Sequence, residues 1–230
     1  MDKYPLKDEQ LGKIAVTARY HASLNPGAIY RKPFTMEEYL ASERLSWPVR
    51  LFDCVPMVNG GLAYIVARAE DARAITRQPA YLRGFAEVNN YYSGSRTFPD
   101  ITDTGYLQTA PEAFAMAGIA HRDVGSFQPY DDYPMVALIQ LEDYGFCKKG
   151  EGGEFVASGA LRMGGRLPTN TSGGQLSEAH VEGMLQVVEG ARQMRHTYPA
   201  ERQVKDAEIA LVSGHGGNQV CHSTLILGRA

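Results

Sequence analysis

The last stretch of the chain constrains its fold more than any other. Residues 207–213 read AEIALVS, a short apolar strand pattern. The glycine-rich turn GHGG follows at 214–217 and leads into a second strand pattern, NQVCHSTLIL. Upstream, helix-like and strand-like patterns alternate. Leu11, Ile14, Ala15 and Ala18 follow helical spacing in residues 8–23, and LNPG ends that helix. Further helices are predicted over 35–43, begun by Thr35 as a cap, and over 69–75. Others are predicted over 109–119, with Thr109 as cap and Pro111 in the first turn, over 135–146, and over about 177–195. Strands are predicted at 60–67 (GGLAYIVA, read as buried), at 80–88 and at 123–130. The alternation places the chain in the α/β class.

The length of 230 residues suits one large domain or two small ones, and 44% hydrophobic residues suffice for a sizeable core. A net charge of −3 argues against a nucleic-acid partner. No apolar run has bilayer length, and MDKYPLKDEQ is too polar for a secretory leader, so a membrane partner is not expected. Cys54, Cys147 and Cys221 are widely spaced, with no CxxC pair to suggest a metal site. A reduced, cytoplasmic setting is the expectation.

Three places carry residues suited to chemistry. The first is His180, predicted in the first turn of a helix capped by Ser177. There the dipole and the unpaired amides favour a neutral imidazole, which suits a general base. Gly173 and Gly174 just before it let a backbone approach a ligand closely. The second is GHGGN at 214–218, where Gly216 and Gly217 can aim amides at an oxyanion beside His215. The third is PYDDYP at 129–134, between a strand and a helix, with Tyr130, Asp131 and Asp132. Each has a plain structural reading as well: a packed or capping histidine, an ordinary hairpin turn, and carboxylates capping the helix that follows. Standing alone, the residues leave both readings open. His21 reads as a surface residue. Cys54 and Cys221 read as small buried hydrophobes, and the lysines after Cys147 would lower its pKa. The polar, aromatic stretch 89–104 reads as a long functional loop.

Taken in order, YDDYPMVALIQLEDYGFCKKGEGGEFV, LPTNTSGGQLSEAHVEGMLQVVEGARQMR and RQVKDAEIALVSGHGG resemble the C-terminal half of a thiolase of the sterol-carrier-protein type. ASLNPGAIYRKPFTMEEYLAS and LFDCVPMVNGGLAYIVARAEDAR resemble that family's middle segments. The resemblance implies a layered αβαβα fold. Residues 1–50 would end the N-terminal half and its loop excursion, and 51–230 would form the C-terminal domain. It implies acyl-CoA C-acyltransferase chemistry, with coenzyme A as substrate or product and no other cofactor. His180 would be the activating histidine, preceded by Ala179 where glycine is common. His215 would stand at the acid/base turn, with Gly174, Gly216 and Gly217 near the oxyanion. Tyr130 stands where many thiolases carry Asn or His, as in relatives that cleave steroid-type acyl-CoAs by retro-aldol chemistry. No cysteine here falls at the family's nucleophile motif. The resemblance thus implies a homo- or hetero-oligomer, completed by an N-terminal half or an OB-fold subunit. The alternatives are a lyase using Tyr130, or a non-catalytic subunit that binds acyl-CoA.

Overall fold

The computed structural model describes residues 1, 3–89, 91, 100–217 and 219–229. In chain order the elements are α1 (Asp8–Ser23), α2 (Met36–Ala41), β1 (Arg44–Ser46), β2 (Val49–Arg50), α3 (Ala69–Ile75), β3 (Ala80–Val88) and α4 (Tyr106–Ala117). There follow β4 (Ser126–Gln128), α5 (Pro134–Asp143), α6 (Gly152–Ala157), α7 (Gly174–Ser177), α8 (Met184–Met194), β5 (Ile209–Gly216) and β6 (Cys221–Arg229). The C-terminal pair forms the predicted hairpin, with Ile209 opposite Gly228 and Gly216 opposite Cys221. It is the centre of a mixed four-stranded sheet in the order β3-β6-β5-β4. β3 joins antiparallel to β6, and β4 joins parallel to β5.

Alternation along these strands makes both faces apolar. Leu211 and Ile226 face the main core, which holds Tyr106, Ala113 and Phe114 of α4, Ala137, Leu138 and Leu141 of α5, and Leu11, Ile14 and Ala18 of α1. Ala210, Val212 and Leu227 face the other way, against Met194, Val187 and Ala191 of α8. The result is helix, sheet, helix, with α1 packed on α5, α6 and α7.

Several elements depart from the sequence reading. Residues 60–67 form no strand. Ile65 and Val66 are 87% and 80% exposed, and no described strand offers this run a ladder to join. α4 starts at Tyr106, so Thr109 and Pro111 lie inside it. The cap is supplied from elsewhere: the Thr104 hydroxyl donates to Asp143 at 2.6 Å and accepts the Tyr106 amide at 3.3 Å. Freed from capping, Thr109 bonds Thr224 of β6 at 2.7 Å.

The helix expected over 177–195 is two helices, α7 and α8, separated by residues 178–183. In one continuous helix the carbonyls of Ser177 and Glu178 would accept amides from the next turn. Here they accept the amides of Tyr30 (3.0 Å) and Ile29 (2.9 Å) instead. The Ser177 hydroxyl is also engaged, accepting from Arg19 Nε at 2.9 Å.

His21 is fully buried rather than on the surface. Its Nδ1 lies 3.1 and 3.2 Å from the Thr169 and Asn170 carbonyls, so Nδ1 carries the hydrogen. Its Nε2 accepts the Met163 amide at 3.0 Å. Burial pulls its pKa from 6.5 to about 4. The unfolded chain therefore binds a proton that the folded chain excludes in this window. Stability is complete above pH 6.5 and falls by about 1.4 kcal/mol per pH unit on this residue's account as pH drops toward 4. In thermal melts from pH 7 to 4.5, His21→Asn is expected to show a lower Tm at pH 7 and a shallower acid decline. An unchanged acid slope would show that His21 is not the titrating group.

Candidate active site

The loop after β4 carries the first site residue. Its backbone is fixed from both sides: the Tyr130 amide donates to Ser213 Oγ of β5 at 3.1 Å, and its carbonyl accepts from Gln140 Nε2 of α5 at 2.7 Å. Ser213 and Gln140 are hydrogen-bonded to each other, so strand, loop and helix share one polar knot. The next residue, Asp131, caps α7 rather than the helix that follows it. Its Oδ1 accepts the Gln175 amide at 2.8 Å and Gln186 Nε2 at 3.2 Å. Burial pushes the Asp131 carboxyl well above the usual carboxylate range, opposed by the amides of Gln175 and Leu176.

Gly173 and Gly174 do permit a close approach, and its partners lie within the chain. A Cβ on Gly173 would strike Ala22 of α1, and one on Gly174 would strike the Asp131 carboxylate. Gly174 has φ of +60°, in the left-handed region. Gly174→Ala is therefore expected to lose about 3 kcal/mol in urea denaturation, from strain plus overpacking. Gly118 also has positive φ (+65°) but open space around it, so Gly118→Ala should lose only about 1 kcal/mol. Equal losses would remove the Asp131 contact from the explanation.

The phenol of Tyr130 is buried and donates to Glu182 Oε2 at 2.5 Å. Burial raises its pKa above that of free tyrosine, and the Glu182 hydrogen bond raises it further. His215, near the end of β5, lies against Tyr130 with ring centroids 4.2 Å apart. Its Nε2 is 3.5 Å from Asp132 Oδ1, and its side chain is 7% exposed. Its Nδ1 is buried without a partner among the described residues. Across the hairpin, Gln219 contacts His215 (3.4 Å) and His222 (3.0 Å). Burial, and then the nearby His215, pull the His222 pKa from 6.5 to about 4.

Two of the three expected places thus meet: Tyr130 and His215 are in contact, with Asp132 beside them. Gly216 ends β5, and Gly217 is an exposed turn glycine at φ +59°. His180 lies in the break between α7 and α8, half-buried, and makes no hydrogen bond among the described residues. It stands at no helix terminus, so the dipole argument for a neutral ring does not apply to it. Sequence reasoning missed Glu182, which looks like an ordinary exposed helix residue until the helix is seen to break. Most of the 89–104 loop, residues 90 and 92–99, lies outside the described residues. A cavity of about 230 Å³ lies between the start of α8 and β5, lined by Gly183, Met184, Val212, Gly214 and Tyr64. A larger one of about 440 Å³, lined by His121, Arg122 and Arg166, shares no wall with it. The described residues contain no cluster suited to hold a metal and no helix long and apolar enough to cross a membrane.

Neither Cys54 nor Cys147 resembles an activated nucleophile. Burial, followed by Glu142, pushes the Cys147 thiol up to about 12, against the lowering expected from its neighbouring lysines. Burial likewise raises Cys54.

The 17-hydroxy-3-oxo-4-pregnene-20-carboxyl-CoA lyase of Mycobacterium tuberculosis is 37% identical over 222 residues, 94% of this chain and 56% of that protein. An acetyl-CoA acetyltransferase of Methanothermobacter thermautotrophicus is 32% identical over 232 residues, 96% of this chain and 59% of that protein. The solved structure of the Ltp2-ChsH2(DUF35) aldolase superposes with a TM-score of 0.93 at 36% identity, covering 99% of this chain and 60% of that one. The chain thus spans less than two thirds of the length of each. The family model described as thiolase C-terminal domain-like matches residues 88–229. The mixed sheet with its flanking helices is therefore a thiolase-like α/β fold, and the chain belongs to the thiolase C-terminal domain-like family.

Proposed function

We propose that this chain forms part of an acyl-CoA retro-aldolase that splits a β-hydroxyacyl-CoA into a carbonyl compound and a shorter acyl-CoA. The observation that carries this reading is the buried phenol of Tyr130 packed against His215, the rings tilted by 55° with centroids 4.2 Å apart, where an acyltransferase would call for an activated thiol. The greater similarity to a lyase (37%) than to an acetyltransferase (32%) supports it, and so do the raised thiols of Cys54 and Cys147.

In a retro-aldol step the β-hydroxyl loses its proton and the Cα–Cβ bond breaks. The electron pair enters the thioester as an enolate, the β-carbon becomes a carbonyl, and Cα takes a proton. Three services are needed: a group at the β-oxygen, a proton donor at Cα, and donors to the enolate oxygen. Tyr130 serves the β-oxygen. His215, held by Asp132, serves Cα. The Gly217 amide, with Gly216 shaping the turn and His180 nearby in sequence to Glu182, serves the thioester oxygen. Gly174 acts behind them, by seating Asp131. Coenzyme A stays on the product, so none is consumed.

The chain works in an assembly. Met57, Ile65 and Val66 of the extended arm, with Leu82 and Phe85 on the edge strand β3, leave apolar surface exposed. A thiolase N-terminal half or an OB-fold subunit is the occupant this reading favours. Light scattering at micromolar concentration should show association with itself or a partner; a clean monomer would contradict this.

The decisive assay uses the assembled protein and a 17-hydroxysteroid 20-carboxyl-CoA, the substrate class named for the mycobacterial lyase. The expected result is a shorter acyl-CoA formed without free coenzyme A, with kcat lowered about 100-fold or more in Tyr130→Phe. Cleavage that requires and consumes free coenzyme A would overturn the lyase reading.

A further inference from the structure

Five non-glycine residues in the described structure have positive φ, and two of them, Glu182 (+61°) and Gln219 (+69°), reach into the same cluster. The left-handed region disfavours any residue with a Cβ. At the 182–183 turn the order is the reverse of what stability would choose. Glutamate holds the strained position, and Gly183 beside it has an unstrained φ of −61°. Glu182 is exposed, packs into no core and forms no ion pair among the described residues. Its one side-chain hydrogen bond among the described residues is to the Tyr130 hydroxyl, at 2.5 Å.

From this arrangement we infer that Glu182 is the proton acceptor behind Tyr130, a positioning residue that links the buried phenol to solvent. The inference rests on the retro-aldolase reading for its chemistry. Without a partner a phenol is a poor base at neutral pH. With a carboxylate on its hydroxyl it can pass a proton through. The substrate β-hydroxyl gives its proton to Tyr130 Oη as the phenolic proton moves to Glu182 Oε2. The Cα–Cβ bond breaks and its electron pair enters the enolate. Protonated His215 then gives its proton to Cα. Glu182, exposed, releases its proton to water, and His215 takes one back, so charge and protons balance over the cycle.

The same strain supplies the test. Glu182→Gly removes the carboxylate and relieves the backbone at once, so the variant should fold with a Tm equal to or above that of the wild type. In the assembled protein its kcat should fall about 100-fold while KM stays within about two-fold, and Glu182→Gln should match it. Added formate should recover activity in Glu182→Gly and do nothing for Tyr130→Phe; Glu182→Asp should be intermediate. Unchanged kcat in Glu182→Gly and Glu182→Gln would overturn the inference, as would a kcat loss that tracks a loss of Tm with no formate rescue. A second arm needs no turnover. With tyrosine carbon-13 labelled at Cζ, the resonance that Tyr130→Phe removes should shift in Glu182→Gln. If the wild type fails to cleave β-hydroxyacyl-CoA but that resonance shifts, the lyase reading falls and the Tyr130–Glu182 couple stands. If the resonance does not move, the couple itself is refuted.

Discussion

The structure depends on a buried polar turn. Residues 170–175 run through the protein interior between α1, α8 and the Tyr130 loop, tied to all three by hydrogen bonds. The Asn170 amide donates to the Phe127 carbonyl at 2.9 Å, extending the sheet past β4. Thr171 donates its hydroxyl to Glu189 of α8 at 2.6 Å, and Ser172 accepts from Asn25 at 3.0 Å. His21 reads the Thr169 and Asn170 carbonyls from α1. A buried backbone left without partners would cost several kcal/mol, so these contacts act together to fix one path for the turn. Asp131 then docks onto its far end, and the Tyr130 loop follows Asp131.

The candidate site is a consequence of that path. Because the amides of Tyr30 and Ile29 occupy the carbonyls of Ser177 and Glu178, the helix stops and residues 178–183 turn outward. That turn brings Glu182 over Tyr130 while α8 restarts at Met184 on the opposite face of the sheet. The hairpin contributes His215 from the other side, because its register sets His215 opposite His222. A phenol, an imidazole and two carboxylates thus converge from three separate segments. Each is placed by the path of its own backbone, which at Tyr130 is held by the side chains of Ser213 and Gln140.

The exposed arm at 57–66 belongs to a different balance. Its apolar side chains gain about 1.5–3 kcal/mol each when fully buried, and within this chain Ile65 and Val66 gain almost none of it. The outer face of β3 repeats the pattern with Leu82 and Phe85. In a family whose members are longer than this chain, such a surface fits contact with further polypeptide.

Local pattern in the sequence was enough for the α/β class, for α1, α3, β3, α5 and the terminal hairpin, because period and turn chemistry act within a few residues. The order of the glycine block, Tyr130 and the hairpin was enough for the family. Three features were decided only in three dimensions. The helix break after Ser177 arises because amides from Ile29 and Tyr30, far away in the sequence, outcompete the next helical turn. The run at 60–67 has a strand's composition but no partner strand in this chain, and composition cannot supply one. His21 is polar and sits before a turn, yet three backbone groups from 163–170 meet its ring and make burial tolerable. In the first and last cases hydrogen bonds between distant segments overrode the preference written locally, and the position of Glu182 followed from the first.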